Sequence, residues 1–250
     1  MARIALVSAM HEELSAVLAR MPDEHKTVVA GSEFWLGHWH GHDVVAVLSR
    51  IGKVAAAATT TILIERFGVD RVLFTGTAGG LSPAAHVGDV VVAREFLQHD
   101  MDASPLFPRH EVPLTGCSRF VTDSVLTQAL AQAAPVALQE LVQHVPRAQW
   151  LNIDLPAAKV HAGLIISGDR FVATGAESAA LQQELPDALC VEMEGAAVAQ
   201  VCQDYGVPLA ALRTISDRAD NAAHVDFVRF IQNIANHYSA AVLDHSLALL

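Results

Sequence analysis

The sequence predicts an α/β fold in one domain that covers residues 1–250. Short apolar runs, which are typical of buried strands, alternate with helical stretches, and no polar linker interrupts the alternation. The composition is 52% hydrophobic and 17% charged, so the chain can bury a large core without disulfides or structural metals. Aromatic residues make up only 6% of the chain, which favours tight packing of helices on a sheet.

Hydrophobic periodicity and breaks at Gly and Pro predict the individual elements. Strands are predicted at 3–8, 27–36, 43–49, 71–75, 87–96, 161–167, 188–192 and 208–215, and the second and third of these form a hairpin. Helices are predicted at 10–20, 53–67, 119–133, 176–185, 195–205 and 225–249. Loops are predicted at 76–80 and 100–115, whereas 135–160 shows no clear period.

The net charge of the chain argues against two classes of partner. Lys+Arg 16 against Asp+Glu 27 gives a net charge of -11, whereas a protein that binds nucleic acid needs a basic footprint. No apolar run reaches the roughly 18 residues of a membrane span, and no signal peptide is evident. The three cysteines suit free buried thiols in a reducing compartment. We therefore expect a cytoplasmic protein that binds neither nucleic acid nor membranes.

Common metal and nucleotide motifs are absent from the sequence. The thirteen histidines match no zinc spacing, so we expect no metal and no cofactor. The Gly-rich segment 76–80 is not G-x-G-x-x-G, and no Gly-Lys-Ser/Thr follows it. This segment is either an ordinary turn or backbone placed close to a ligand, for which Gly is well suited.

Acidic residues follow three of the predicted strands. Glu12 and Glu13 follow the first strand, Glu192 and Glu194 follow the apolar run 188–190, and Asp217 follows 208–215. The carboxyl ends of strands line the ligand crevice in open α/β sheets, and charges there are costly unless they are paired or used. The three segments therefore predict an acid/base site or a site that binds hydroxyl groups.

Each acidic residue also has a purely structural explanation. Glu12 and Glu13 fall in a first helical turn, where the helix dipole stabilises carboxylates, and Asp217 is suited to an N-cap. Arg213 lies on an otherwise apolar strand, so it requires a buried partner charge. We expect this partner to be Glu192 or Glu194.

Six segments in a fixed order carry a resemblance to a known family. They are Met10-x-Glu12-Glu13, Gly52-Lys53-Val54, 75–80, Ser167-Gly168-Asp169-x-Phe171, Val191-Glu192-Met193-Glu194 and Ile215-Ser216-Asp217-x-Ala219-Asp220. Together they resemble the nucleoside phosphorylase/nucleosidase superfamily and, within it, the bacterial 5′-methylthioadenosine/S-adenosylhomocysteine nucleosidases. The resemblance covers residues 3–100 and 160–240. It implies a three-layer α/β/α fold with a central mixed sheet, a homodimer and a role in methionine salvage.

The resemblance assigns catalytic roles to four residues. Asp217 protonates N7 of the departing purine, and Ser216 holds it. Glu13 orients and deprotonates the attacking water, and Arg213 positions the carboxylates. This division of labour parallels sugar hydrolysis by two carboxyl groups. The acid must carry its proton when the base leaves, so we expect its pKa to be raised or its proton to be supplied on binding.

The resemblance also implies which residues bind the substrate. Glu194 accepts hydrogen bonds from the ribose hydroxyls, and Met193 packs against the sugar. Phe171 stacks on the base, and the backbone of Val172 reads the edge of the base. Phe227 covers the 5′ substituent, and the loop 100–113 of a partner subunit completes that pocket with an apolar residue, Phe107. The remaining predicted contacts are Met10, Ile51, Thr77, Ala78, Gly79 and Glu192.

The predicted activity is hydrolysis of the N-glycosidic bond of 5′-methylthioadenosine, S-adenosylhomocysteine or both, with release of adenine. One alternative is a purine nucleoside phosphorylase, but related phosphorylases bind phosphate with cationic groups where this chain has the acidic segment 9–13. Another is a nucleosidase for a different adenosine-type substrate such as aminodeoxyfutalosine. A third is a non-catalytic protein that binds nucleosides, which would not need a carboxylate to activate water.

Overall fold

The computed structural model describes residues 2–147, 150 and 155–250, so part of the stretch 135–160 lies outside the described residues. The strands are β1 (Arg3–Ser8), β2 (His25–Val29), β3 (Ser32–Trp39), β4 (His42–Leu48), β5 (Arg71–Gly80), β6 (Val90–Gln98), β7 (Arg119–Val121), β8 (Val160–Ser167), β9 (Ala188–Glu192) and β10 (Leu209–Asp217). The helices are α1 (His11–Leu18), α2 (Lys53–Phe67), α3 (Ser124–His144), α4 (Gly175–Glu184), α5 (Gly195–Tyr205), α6 (Ala223–Phe230) and α7 (Asn236–Leu247). A 3₁₀ turn covers Leu155–Ala157, and a π-helical turn covers Ile231–Ala235.

One sheet contains the strands of the described part of the chain. Its order is β10-β6-β8-β9-β5-β1-β4-β3-β2, and β7 pairs with β6. Because β10 also pairs with β5, the strands β10, β6, β8, β9 and β5 close into a ring. Parallel pairs such as β1–β5 and antiparallel pairs such as β3–β4 make the sheet mixed, which confirms the predicted fold class.

Helices cover both faces of the sheet. α7 contacts both α1 and α3 on one face, where Leu14, Leu130 and Tyr238 are buried. α2 and α5 contact each other on the opposite face, where Leu63 and Val198 are buried. The result is the expected three-layer α/β/α arrangement. No helix in the described ranges is long and apolar enough to cross a membrane.

The prediction of a loop over 76–80 is wrong, because β5 continues through this segment. Gly79 pairs with Asp217 of β10 and with Val191 of β9, so three strands meet there. A Cβ atom at Gly79 would lie 3.0 Å from Oδ1 of Asp217, and one at Gly76 would lie 3.3 Å from the guanidinium of Arg213. The glycines therefore let a strand pass directly beside two buried charged groups.

Two predicted strand and helix boundaries are also wrong. The predicted strand 27–36 is divided by Ala30 and Gly31, which both have positive φ angles of 49° and 75° and join β2 to β3 in a tight turn. The predicted helix 119–133 contains β7 at its start, and α3 begins only after the N-cap Asp123. α3 then continues through Pro135, because Ala133, Ala137 and the apolar residues that follow are buried.

The C-terminal helix predicted at 225–249 is divided into three segments. α6 and α7 are separated by the π-helical turn Ile231–Ala235. Phe230 and Ile234 are buried on either side of the start of this turn. The extra residue of the wider turn changes the helical phase, which lets both α6 and α7 direct apolar side chains to the core.

Candidate active site

A cavity of about 310 Å³ lies where β1, β5, β9 and β10 end. This volume is at the lower end of the range of small-molecule sites, which is about 300–1,000 Å³. Thirteen predicted site residues line the cavity: Met10, Ile51, Thr77, Ala78, Gly79, Phe171, Val172, Glu192, Met193, Glu194, Ser216, Asp217 and Phe227. The predicted residues Glu13, Arg213 and Phe107 do not line it.

Asp217 is the last residue of β10 and is only 2% exposed. It is therefore not the helix N-cap that its sequence context also allowed. The Ser216 hydroxyl donates to Oδ2 at 2.8 Å, and the Ala219 N–H donates to Oδ1 at 2.8 Å. Burial raises the pKa of the Asp217 carboxyl above its usual range, although these two hydrogen bonds act against it. A raised pKa favours the protonated form that a general acid needs.

Glu192 forms a buried ion pair with Arg213, which confirms the expected partner. Nη2 of Arg213 donates to Oε2 at 2.8 Å, and the two side chains are 1% and 3% exposed. The guanidinium also lies over the ring of Phe74, 4.0 Å from its centroid. Because the charge of Arg213 is already paired, the site offers no free cation at this position.

Glu194 is the N-cap residue of α5 and is 5% exposed. Its Oε1 accepts a hydrogen bond of 2.7 Å from the Gly52 N–H. Burial, followed by the charge of Glu192, raises the pKa of Glu194 above its usual range. Because its side chain lines the cavity, its carboxyl oxygens can accept hydrogen bonds from ligand hydroxyls.

Glu13 lies directly behind the wall of the cavity. It is 1% exposed, and its Oε2 accepts a hydrogen bond of 3.2 Å from the N–H of Met10, which does line the cavity. Burial raises the pKa of Glu13 to about 7, although the positive charge of Arg213 lowers it. A carboxyl with this pKa is suited to act as a general base near neutral pH.

One wall of the cavity is apolar and partly open to solvent. The rings of Phe171 and Phe227 meet edge to face, with centroids 5.8 Å apart. Phe171 is 43% exposed and Ile51 is 63% exposed. Phe107 lies elsewhere in the same chain, on the loop between β6 and β7, so the monomer does not bring it to this wall.

The structure adds site residues that the sequence analysis did not assign. The hydroxyl of Ser167 donates to Oε1 of Glu192 and accepts a hydrogen bond of 2.8 Å from the Ala196 N–H. Gly52 holds Glu194, and Arg170 lines the cavity while it pairs with Glu177. The sequence signal for Ser167 and Gly52 was their presence in two of the six recognised segments, although no spacing revealed what they contact.

This arrangement provides two buried carboxyls with raised pKa values, Asp217 as a candidate proton donor and Glu13 as a candidate proton acceptor. Glu194 adds an acceptor for hydroxyl groups. Asp217 can donate a proton inside the cavity, and Glu13 can accept one behind Met10. Glu194 also lines the cavity and offers its carboxyl oxygens to ligand hydroxyls. Such a site suits acid/base cleavage of a ligand that has both an aromatic and a polyhydroxyl part.

The fold and the site define a protein of the Phosphorylase superfamily, whose family model matches residues 3–248. A curated 5′-methylthioadenosine/S-adenosylhomocysteine nucleosidase of Anoxybacillus flavithermus is 37% identical over 240 residues, which is 96% of this chain and 95% of the relative. The chain belongs to this nucleosidase family.

Solved structures agree with this assignment. The nucleosidase of Neisseria meningitidis in complex with methylthio-immucillin-A is 32% identical, with a TM-score of 0.88 and full coverage of both chains. A futalosine hydrolase of Helicobacter pylori is 33% identical, with a TM-score of 0.85 over 100% of this chain and 98% of that one. The fold is therefore shared by enzymes that are named for different nucleoside substrates.

Proposed function

We propose that the protein hydrolyses the N-glycosidic bond of 5′-methylthioadenosine and S-adenosylhomocysteine and releases adenine. The observation that carries this proposal is the pair of buried carboxyls with raised pKa values, Asp217 in the cavity and Glu13 behind it. The names of the relatives support the same activity. We also propose that the enzyme is cytoplasmic and serves methionine salvage.

Each residue then has one task in the reaction. Asp217 donates its proton to N7 of the purine as the bond to the ribose breaks, and Ser216 keeps the carboxyl in place. Glu13 takes a proton from the attacking water. Glu194 accepts hydrogen bonds from the ribose hydroxyls, and Phe171 stacks on the base. Arg213 acts through Glu192, which it holds in place beside Glu194.

The charges at the site disfavour phosphate as the nucleophile. Arg213 is paired with Glu192, and Arg170 is paired with Glu177. The segment 9–13 contributes Glu13 rather than a cation. Among the described residues that line the cavity, Arg170 is the cation and its side chain is 77% exposed, whereas Glu192, Glu194 and Asp217 are buried and acidic. A phosphate dianion would therefore meet mainly acidic groups in this cavity.

The first prediction concerns the products. With 5′-methylthioadenosine in phosphate-free buffer, we expect release of adenine and 5-methylthioribose, and we expect added phosphate to leave the rate unchanged. Chromatography of the products measures both. Formation of a sugar 1-phosphate would contradict the hydrolase proposal. Aminodeoxyfutalosine should be included as a substrate, because a futalosine hydrolase is among the structural neighbours. Cleavage of aminodeoxyfutalosine that is faster than cleavage of 5′-methylthioadenosine would favour the alternative nucleosidase function.

We further propose that the enzyme is a homodimer in which the partner's loop 100–113 covers the 5′ end of the substrate. On this loop Leu106 is 84% exposed, and the apolar wall formed by Ile51 and Phe171 is open in the monomer. Two exposed apolar surfaces on one soluble chain favour mutual burial.

The dimer proposal predicts the effect of Phe107→Ala. We expect this variant to raise KM for 5′-methylthioadenosine more than for adenosine, because only the former has an apolar 5′ substituent. Val28→Ala, at an exposed position on β2, is the control and should leave KM for both substrates unchanged. Light scattering should show a dimer at micromolar concentration, and a monomer there would contradict the shared site.

A further inference from the structure

Two segments that line the active-site cavity meet at a group of charged side chains outside the cavity. One segment contains Ile51 and precedes α2, and the other contains Phe171 and follows β8. The charged group between them consists of Lys53, Asp100 and Asp169, and these three residues do not line the cavity themselves. We call them the charged clamp.

Each member of the charged clamp contacts the other two. Nζ of Lys53 donates to Oδ1 of Asp100 at 2.5 Å and lies 3.9 Å from Oδ2 of Asp169. The backbone N–H of Lys53 donates to Oδ1 of Asp169 at 2.8 Å, and the backbone N–H of Asp169 donates to Oδ2 of Asp100 at 2.9 Å. The three residues therefore form a closed ring of contacts in which two carboxylates lie beside one ammonium group.

The side chain of Lys53 is largely shielded from water, unlike the side chains of a surface ion pair. It is 14% exposed, and Nζ also donates to Oε1 of Gln98, the last residue of β6, at 3.1 Å. Burial raises the pKa of Asp100, but the hydrogen bonds from Lys53 and Asp169 outweigh it and hold this pKa below its usual range. Asp100 is therefore ionised at neutral pH, and the charged clamp is attached to the end of a central strand.

Gly52 joins the charged clamp to the proposed ribose site. Its N–H donates to Oε1 of Glu194 at 2.7 Å, and the N–H of the next residue, Lys53, donates to Asp169. The φ angle of Gly52 is 94°, which residues with a side chain rarely adopt, and a Cβ atom there would lie 3.1 Å from Oδ1 of Asp169. Two successive N–H groups therefore meet two carboxylates, one in the cavity and one in the charged clamp.

We propose that Lys53 is a positioning residue for recognition of the ribose. Lys53 holds Asp169 against the start of α2, and this contact directs the N–H of Gly52 towards Glu194. The carboxyl group of Glu194 is thereby oriented for the ribose hydroxyls before the substrate binds. The inference rests on the proposed function, in which Glu194 accepts hydrogen bonds from these hydroxyls.

The experiment compares 5′-methylthioadenosine with its 2′-deoxy and 3′-deoxy analogues in the full-length enzyme. We expect Lys53→Gln to lower kcat/KM for 5′-methylthioadenosine by about tenfold, because a misdirected carboxylate weakens its charge-assisted hydrogen bonds to the substrate. Each analogue lacks one of the hydroxyls, so the loss should be smaller for the analogues. An analogue that the wild-type enzyme cleaves too slowly is measured as a competitive inhibitor instead.

Two further variants separate positioning from folding. Lys53→Arg keeps the positive charge and should restore part of the activity. Asp100→Asn keeps the size of the side chain and should give the same pattern among the three compounds with a smaller loss. Lys26→Gln is the matched control, since it removes the same charge from an exposed ion pair with Glu33, and it should leave the values for all three compounds unchanged.

An equal loss for all three compounds in Lys53→Gln would show that the charged clamp acts on the fold as a whole and would overturn the positioning role. The absence of any loss in this variant would overturn it as well. Failure of the wild-type enzyme to cleave 5′-methylthioadenosine would instead overturn the proposed function. Retained binding of the deoxy analogues by Lys53→Gln shows that the variant is folded.

Discussion

Asp217→Asn is expected to lower kcat for 5′-methylthioadenosine by about 10²–10⁴-fold, which is the usual contribution of general acid catalysis. The amide oxygen can still accept the hydrogen bond from the Ala219 N–H, so the loop after β10 keeps its position. The amide has no proton to give to N7, so the base leaves as an unfavourable anion. We therefore expect the loss in kcat to be far larger than any change in KM.

Asp220→Asn provides the matched control for this prediction. It makes the same chemical change three residues away, at a carboxylate whose Oδ1 accepts a hydrogen bond from the Ala222 N–H at 2.8 Å. Steady-state kinetics of both variants should separate loss of charge from loss of the acid. Near-normal turnover in Asp217→Asn would remove Asp217 from the catalytic role.

Glu13→Gln is expected to abolish most activity and at the same time to stabilise the fold at high pH. The loss of activity follows because an amide cannot take a proton from water, and we again expect about 10²–10⁴-fold in kcat. The gain in stability follows from burial, which raises the pKa of Glu13 from 4.5 to about 7. A raised carboxyl pKa means that the folded state holds this proton more tightly than the unfolded state does.

The sign of the pH dependence follows from this difference in proton binding. Below about pH 4.5 Glu13 is protonated in both states and does not affect the free energy of unfolding. As the pH rises to about 7 the unfolded state loses its proton first, so the wild type loses stability, up to on the order of 3 kcal/mol. The amide side chain of the Glu13→Gln variant does not titrate, so the variant does not lose this stability. The Tm of Glu13→Gln minus that of the wild type should therefore increase between pH 5 and pH 8.

Glu12→Gln is the control for the Glu13 variant, because it changes the neighbouring carboxyl in the same helical turn. Thermal melts at several pH values should show a smaller increase for it. A Tm difference for Glu13→Gln that is independent of pH would contradict the raised pKa. Full activity in Glu13→Gln would contradict its role as the base.

The sequence predicted the location of the site better than it predicted the elements around it. Buried strands that end in carboxylates can be recognised because apolar runs rarely contain charge, and Arg213 requires a partner wherever it is buried. The course of β5 through its glycines could not be predicted in the same way, because glycine signals a turn unless neighbouring groups are known. Those groups, Asp217 and Arg213, reach the strand only in the folded chain.

Long-range packing explains the other errors. Pro135 indicates the end of a helix locally, but the burial of Ala137 and Leu138 keeps α3 intact. The predicted contact of Phe107 with the substrate stays a prediction, because Phe107 lies on the loop between β6 and β7 and would reach the substrate of a partner subunit.

The buried pair of Arg213 and Glu192 also bears on how this activity could evolve. An enzyme of this fold that used phosphate would need an unpaired cation to bind it. Arg213 is a buried cation beside the cavity, but it is paired with Glu192. Releasing it by loss of Glu192 would leave an unpaired buried charge, at a cost of about 3–5 kcal/mol. A lineage moving from water to phosphate would therefore have to acquire a new cation elsewhere before it could change nucleophile, so no single substitution at this pair converts one chemistry into the other.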